Sequence, residues 1–412
     1  MAKAKRKDKK GNILRVGECC RASDGRYSYS YTDRQKQRHT VYAKNIVELR
    51  EKEKQIQRDR IDGIDISAAN RLTLNDMFDR YIKQKFNLKE TTMANYLFVY
   101  NQYVRDTFGK RKLVDIKYSD VKMFYHSLIV DRGIAAVTVE HVHTLLHPTF
   151  KLAIRDGFLR TNPTDDVMTE LKKSKIWVKK KRHALTIPQQ RAFINFLATS
   201  TEYSGWLPIM TILLGTGMRI GECLGLRWED VDFANRFISV NHNFTDRPVG
   251  RERKMGRHIQ TPKTEAGTRI IPILDEVMDA FADEYQIQKT LGFCEEEIDG
   301  YSGFIFSNRD HKVYSAASVN NAMHRIIEAY NIEERENAKK ENREPQLLPI
   351  FSAHVLRHTF CTRLCENESN LKVIQEIMGH KDIQTTIDIY ADCTKEKKQE
   401  VMTNLTGKII IR

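Results

Sequence analysis

The 412-residue sequence has no run of 18 apolar residues, so no segment reads as a membrane-spanning helix. Paired cysteines are also missing. Cys19 and Cys20 are adjacent, and Cys361 and Cys365 lie four apart with no second pair nearby. That pattern excludes a zinc ribbon or a disulfide scaffold and reads as reduced thiols in an unexported protein. The opening MAKAKRKDKK has no apolar core, so no secretion signal is expected. Acidic charge is in short supply as well, 54 Asp and Glu against 68 Lys and Arg, for a net +14. The imbalance is local. Residues 1–64 carry 18 basic and nine acidic side chains, and 172–182 (KKSKIWVKKKR) carry seven basic and none acidic. Positive charge confined to two segments points to a polyanionic partner, nucleic acid foremost. The expectation is a soluble, intracellular chain of two or three domains.

Residues 1–66 read as a small three-stranded sheet followed by a helix. Arg26–Tyr31 (RYSYSY) alternates strictly, placing Tyr27, Tyr29 and Tyr31 on one face as sheet-on-helix core. Ile46, Leu49 and Ile56 then mark a charged helix. Residues 72–168 read as four helices: Thr73 and Thr91 are caps, Leu74, Phe78 and Ile82 form an apolar stripe, and Gly157 stops the last helix before Asn162-Pro163. His141, His143 and His147 on that last helix do not share one face, so no metal site is expected. The basic stretch 169–184 shows no regular apolar period. It reads as an extended linker in which Lys179, Lys180, Lys181 and Arg182 track a phosphate backbone. From 185 the pattern is mixed and mainly helical. Strands are expected near 237–241 and on either side of a turn at 263–267, and the polar stretch 333–346 reads as a surface excursion. The fold class is multidomain α+β.

Four segments of the last region belong to one chemistry. GTGMRIGE places Arg219 at a helix start after a glycine turn. PKTEAGTR places Lys263 in a turn, HVLRHTF places His354 and Arg357 three apart on one helix face, and MGH with TIDIY supplies His380 and Tyr390. There is no carboxylate pair, no zinc spacing and no phosphate loop. Cationic side chains converging on one oxyanion suit a phosphoryl group in its five-coordinate transition state. The nucleophile then comes from the protein or from water. Reaching a phenolate at pH 7 costs about 4 kcal/mol, which neighbouring Arg and Lys charges offset. Lys263 on its turn can protonate a leaving 5′ oxygen, and a histidine can accept the tyrosine proton.

Arg219 in TGMRIGE, Lys263 in TPKTEAGTR, His354 and Arg357 in HVLRHTF, Gly379-His380 and Tyr390 together resemble the tyrosine recombinase, or phage integrase, family. The branch they resemble is the integrases of Gram-positive conjugative transposons, and the ten-residue step from His380 to Tyr390 is similar to that branch. The resemblance implies an arm-type DNA-binding domain at 1–66, a helical core-binding domain at 72–168, a linker at 169–184 and a catalytic domain with tail at 185–412. It implies that Tyr390 attacks a scissile phosphate to give a 3′-phosphotyrosine and a free 5′ hydroxyl. Arg219, His354 and Arg357 would hold that phosphate, Lys263 would act as general acid and His380 would support the transition state. Glu222 would orient Arg219, and His358 would be structural. No cofactor or metal is implied. The implied partners are double-stranded DNA at attachment and arm sites, three further copies of the chain in a tetramer, an excisionase and a host DNA-bending protein, in the bacterial cytoplasm at the nucleoid. A type IB-like topoisomerase and an inactive DNA-binding regulator are the alternatives. The tail, 391–412, ends in KIIIR, suited to docking on a neighbouring copy.

Overall fold

The computed structural model describes residues 6–391 apart from 9, 33–35, 37, 62, 64–68, 179–182, 253 and 262–266. They divide into two compact units. No helix among them is long and apolar enough to cross a membrane.

The first unit opens with β1 (Glu18–Cys20), β2 (Tyr27–Thr32) and β3 (Arg38–Ala43), an antiparallel sheet in sequence order. Helix α1 (Ile46–Ile61) packs on β2 and β3. The alternating tyrosines split as they leave the core. Tyr27 is buried with Ala43 and Leu49, Tyr29 packs at the edge of that cluster, and Tyr31 stacks on Tyr29 at 6.0 Å between ring centroids. Ser28 on the opposite face is buried too, so alternation alone does not sort this strand into a wet and a dry side.

Helices α2 (Leu74–Lys83), α3 (Glu90–Tyr100), α4 (Tyr118–Val130), α5 (Ala136–Arg155) and α6 (Val167–Lys173) form the helical bundle of this unit. A capping box between Thr73 and Asp76 starts α2. A π turn, Asn101–Arg105, ends α3. His143 bonds Tyr125 at 3.1 Å, and His147 bonds Thr164 at 3.0 Å. The basic stretch is not extended from 169: α6 runs to Lys173, and Ile176 and Trp177 pack against the helical core. Two large apolar side chains sufficed where no period was visible. Lys179, Lys180, Lys181 and Arg182 lie outside the described residues.

The second unit is built around α8 (Leu207–Thr216), whose apolar residues run all the way round because α7 (Ile187–Thr199), α10 (Asp275–Leu291) and α12 (Ala353–Asn367) cover it. Between them lie α9 (Ile220–Gly225) and a small antiparallel sheet of β4 (Val231–Asp232), β5 (Phe237–Val240) and β8 (Arg269–Pro272), in the order β4-β5-β8. A separate hairpin joins β6 (Asn243–Val249) to β7 (Lys254–Gln260). The strands expected on either side of Lys263 are both present, but they pair elsewhere, β7 with β6 and β8 with β5.

The polar stretch from 333 is not an excursion at first. Helix α11 (Ala316–Lys340) continues through it, because Glu334 and Ala338 extend the buried stripe of Ile326 and Ile327. Arg343 then folds back to pair with Glu334, whose carboxylate also accepts the Gln346 N–H at 2.7 Å. Helices α13 (Leu371–Met378) and α14 (383–391) close the described chain.

Candidate active site

The site begins where α8 stops. Gly217 caps that helix at φ 61°, a conformation that costs an L side chain energy, and a Cβ there would sit 2.4 Å from the Phe360 ring. The turn delivers Arg219 to the first position before α9, with an extended backbone (φ −68°, ψ 146°). Its side chain leans outward, 44% exposed, while Glu222 one turn on is buried. One oxygen of Glu222 accepts Arg219 Nη1 at 2.6 Å, and the other accepts the Arg219 backbone N–H at 2.9 Å. That second oxygen also accepts Nη2 of Arg269, the first residue of β8, at 2.9 Å. Burial alone would push the Glu222 carboxyl up. The Arg269 and Arg219 guanidiniums and the backbone N–H outweigh it and hold the group at about 2.

His354 and Arg357 lie one turn apart on α12, His354 exposed and Arg357 buried. Arg357 donates to the Gly217 carbonyl at 2.7 Å and to the Met378 carbonyl at 2.6 Å. The end of α13 thereby collects three cations. The Ile377 carbonyl accepts Arg269 Nε at 2.8 Å, Met378 accepts Arg357, and Gly379 accepts Arg219 Nη2 at 3.1 Å. Carbonyls in the last turn of a helix have no partner within it and sit at its negative pole. They hold the guanidiniums together where only one carboxylate is available. Burial, and then the Arg219 charge, push Arg357 down to about 9, so it is still cationic at neutral pH.

His380 follows directly. Gly379, at φ 62°, turns the chain so that the buried imidazole Nδ1 meets the Thr386 hydroxyl at 2.9 Å. Burial lowers His380 to about 4, helped by Arg357, Arg219 and Arg269, with His354 adding to it. The ring is neutral at pH 7. Tyr390 on α14 is half-buried against Cys361, Cys365, Ile374 and Met378, and among the described residues it hydrogen-bonds none of the arginines.

Of the residues singled out in the sequence, the structure brings Arg219, Arg357 and His380 into one cluster with Glu222, sets His354 at its rim and Tyr390 on the adjoining apolar patch. Lys263 lies outside the described residues. Arg269 and Thr386 were not foreseen. Arg269 stands in the quoted TPKTEAGTR segment, but an arginine beginning a strand looks solvated until its burial is known.

Residues 170–397 match the phage integrase family profile. The chain belongs to the phage integrase family. Residues 2–60 match the DNA binding domain of tn916 integrase, and 73–129 match the phage integrase N-terminal SAM-like domain. The transposase from transposon Tn1545 of Streptococcus pneumoniae is 32% identical over 97% of this chain and 96% of its own length. The transposase from transposon Tn916 of Enterococcus faecalis is 31% identical over the same shares. The Tn1549 transposon integrase in complex with transposon right end DNA superposes with a TM-score of 0.69 at 28% identity, over 80% of this chain and all of that one. This protein is a tyrosine-type site-specific recombinase of a mobile element, close to the integrases of Gram-positive conjugative transposons.

Proposed function

We propose that this recombinase integrates and excises its element by cleaving DNA strands through Tyr390, with Arg219 and Arg357 at the end of α13 holding the scissile phosphate. The observation that carries this reading is the charge count at that point: three guanidiniums gather at the end of α13, Glu222 pairs with two of them, Arg219 and Arg269, and Arg357 is held by the Gly217 and Met378 carbonyls. A phosphodiester supplies the missing negative charge, and the charge that builds on its equatorial oxygens is met by donors already in place. The Tyr390 oxygen forms a bond to phosphorus as the bond from phosphorus to the 5′ oxygen breaks. The phenolic proton passes to a histidine base and Lys263 protonates the departing 5′ oxygen, leaving a 3′-phosphotyrosine. His354 reaches the phosphate from the rim, and neutral His380 supports it by hydrogen bonding. One phosphoester replaces another, so bond energy is conserved and no nucleotide is consumed.

In this reading residues 1–66 bind arm sites, 72–168 bind the core site, and Lys179, Lys180, Lys181 and Arg182 in the 169–184 linker contact backbone phosphates. Residues 185–412 carry the chemistry. Exchange between two duplexes breaks four strands and so requires four copies of Tyr390, a tetramer. Arm and core sites engaged by one chain favour bent DNA, which gives a host bending protein and an excision factor their place in the bacterial nucleoid. The test is covalent trapping on a nicked suicide duplex bearing the element's end. An SDS-stable adduct made by the wild type and absent from Tyr390→Phe is the expected result. Tight, salt-sensitive binding without any adduct would overturn it.

A further inference from the structure

We propose that Arg269 is a positioning residue for the Arg219 guanidinium, acting through Glu222 and through the end of α13. This role rests on the phosphate-holding assignment of Arg219 above. Arg269 and Glu222 are both 5% exposed and meet at 2.9 Å. The remaining donors of Arg269 go to backbone carbonyls, Nε to Ile377 at 2.8 Å and Nη1 to Gly267 at 3.4 Å. Its side chain is thus wholly committed within the protein, unlike the half-exposed Arg219.

What it joins is the argument. Glu222 belongs to the segment that carries Arg219, and Ile377 lies three residues before His380. One guanidinium spans both, so it fixes the distance between the arginine at the start of α9 and the histidine after α13. It also turns the Glu222 carboxylate, leaving one oxygen aimed at Arg219 Nη1. A planar fork with three engaged nitrogens does this; a lysine ammonium satisfies the charge with less control of direction. The strand β8 that bears Arg269 pairs with β5, so the anchor is built on the sheet. The charged groups around Glu222 are Arg219 from α9, Arg269 from β8 and Arg357 from α12, with the buried thiol of Cys223 next along the chain. Without Arg269, the carboxylate keeps burial as a cost and loses its closest buried cation. It then takes up a proton at higher pH, and a protonated Glu222 no longer fixes Arg219 as an ion pair.

The experiment compares wild type, Arg269→Gln, Arg269→Lys and the double variant Arg269→Gln/Glu222→Gln. Each is measured for duplex affinity, thermal unfolding and single-turnover adduct formation on the suicide duplex between pH 5 and 8. Arg269→Gln is expected to bind DNA as wild type does and to form adduct about 10²-fold more slowly, the loss a displacement of about an ångström brings. The acid limb of its rate profile is expected to lie at higher pH than that of wild type. Arg269→Lys is expected to recover the position of the acid limb but only part of the rate. The double variant removes the uncompensated buried charge, so its unfolding temperature is expected to return toward wild type while cleavage stays slow. Cleavage that recovers in step with stability in the double variant overturns the positioning role in favour of a purely structural one. So does a wild-type rate and pH profile in Arg269→Lys and Arg269→Gln. A wild type that itself forms no adduct overturns the assignment beneath it instead. If Arg269→Gln does not fold, the Lys and double variants carry the comparison.

Discussion

Arg219 donates to the carbonyl of Gly379 at 3.1 Å, tying the start of α9 to a glycine 160 residues further along the chain. That carbonyl can be met because Gly379 adopts φ 62° and ψ 43°, and the next residue is His380. An alanine at 379 must hold a left-handed conformation, at a cost of about 1–2 kcal/mol. Gly379→Ala is expected to lower stability by that amount and to slow adduct formation more than tenfold, because the carbonyl moves with the backbone. Duplex affinity is expected to hold. Urea unfolding and the suicide duplex measure the two effects separately.

Gly217 has a harder neighbour. Its φ of 61° is joined by an aromatic ring, Phe360, 2.4 Å from where a Cβ would stand. Strain and overpacking add, so Gly217→Ala is expected to cost about 2–4 kcal/mol. The double variant Gly217→Ala/Phe360→Leu is expected to recover part of that loss. Recovery in urea midpoints identifies the clash; an unchanged midpoint leaves the backbone conformation as the whole effect.

These two glycines show what a sequence conveys and what it hides. TGMR reads as a glycine turn delivering an arginine, and the arginine is where the turn delivers it. Local signals of this kind, caps and helix stripes among them, survive folding because they are set by neighbours in the chain. The extension of α11 past residue 333 was illegible because its buried stripe contains Glu334, a charge that becomes tolerable only when Arg343 folds back onto it. Ile176 and Trp177 were read as part of a linker for a related reason: their packing partners lie on helices before them in the sequence, not beside them. Arg269 was invisible as a site residue because its value depends on two partners, 47 and 108 residues away. Long-range pairing of charges leaves no period to find.

Two buried groups of the arginine cluster give stability a pH dependence in two separate windows. His380 falls from 6.5 to about 4 on folding, so the unfolded chain binds its proton first. Stability is therefore complete above about pH 6.5 and declines as pH drops toward 4. Glu222 falls from 4.5 to about 2, so its contribution is complete above 4.5 and is lost only below that. Each amounts to about 3 kcal/mol at most. His380→Gln is expected to remove part of the decline in urea midpoint between pH 6.5 and 5 and to leave the fall below 4.5 in place, because His143, lowered to about 4 by burial and then by the His147 charge, keeps its own share of the upper window. A decline as steep as that of wild type would assign the whole upper window to His143.

Arg357 is buried among like charges with carbonyls as its partners, which makes it both a cost to the fold and a ready anion site. An oxyanion of phosphate size that binds the folded cluster raises stability by linkage. Sulfate or phosphate is expected to raise the unfolding temperature above that in sodium chloride of equal ionic strength, by about 2–4 °C for each kcal/mol of linkage. Arg357→Ala is expected to remove this specific increment while keeping the general salt effect, and to cut adduct formation by at least about 10²-fold. Differential scanning fluorimetry across a sulfate titration reads the first effect, and the suicide duplex reads the second.

The basic run at 179–182 is assigned to phosphate contacts on charge alone, and charge has a measurable signature. Each phosphate neutralised by a lysine or arginine releases counterions and contributes about 0.9 to the slope of log affinity against log salt. Replacing Lys179, Lys180, Lys181 and Arg182 together by alanine is expected to lower that slope by about 3–4 if all four touch the backbone. The loss should be the same on cognate and unrelated duplexes, since phosphate contacts carry no sequence information. A fluorescence anisotropy series from low to moderate salt on both duplexes decides it. An unchanged slope would return the run to a solvated surface, and a loss confined to the cognate duplex would mean that these side chains read bases.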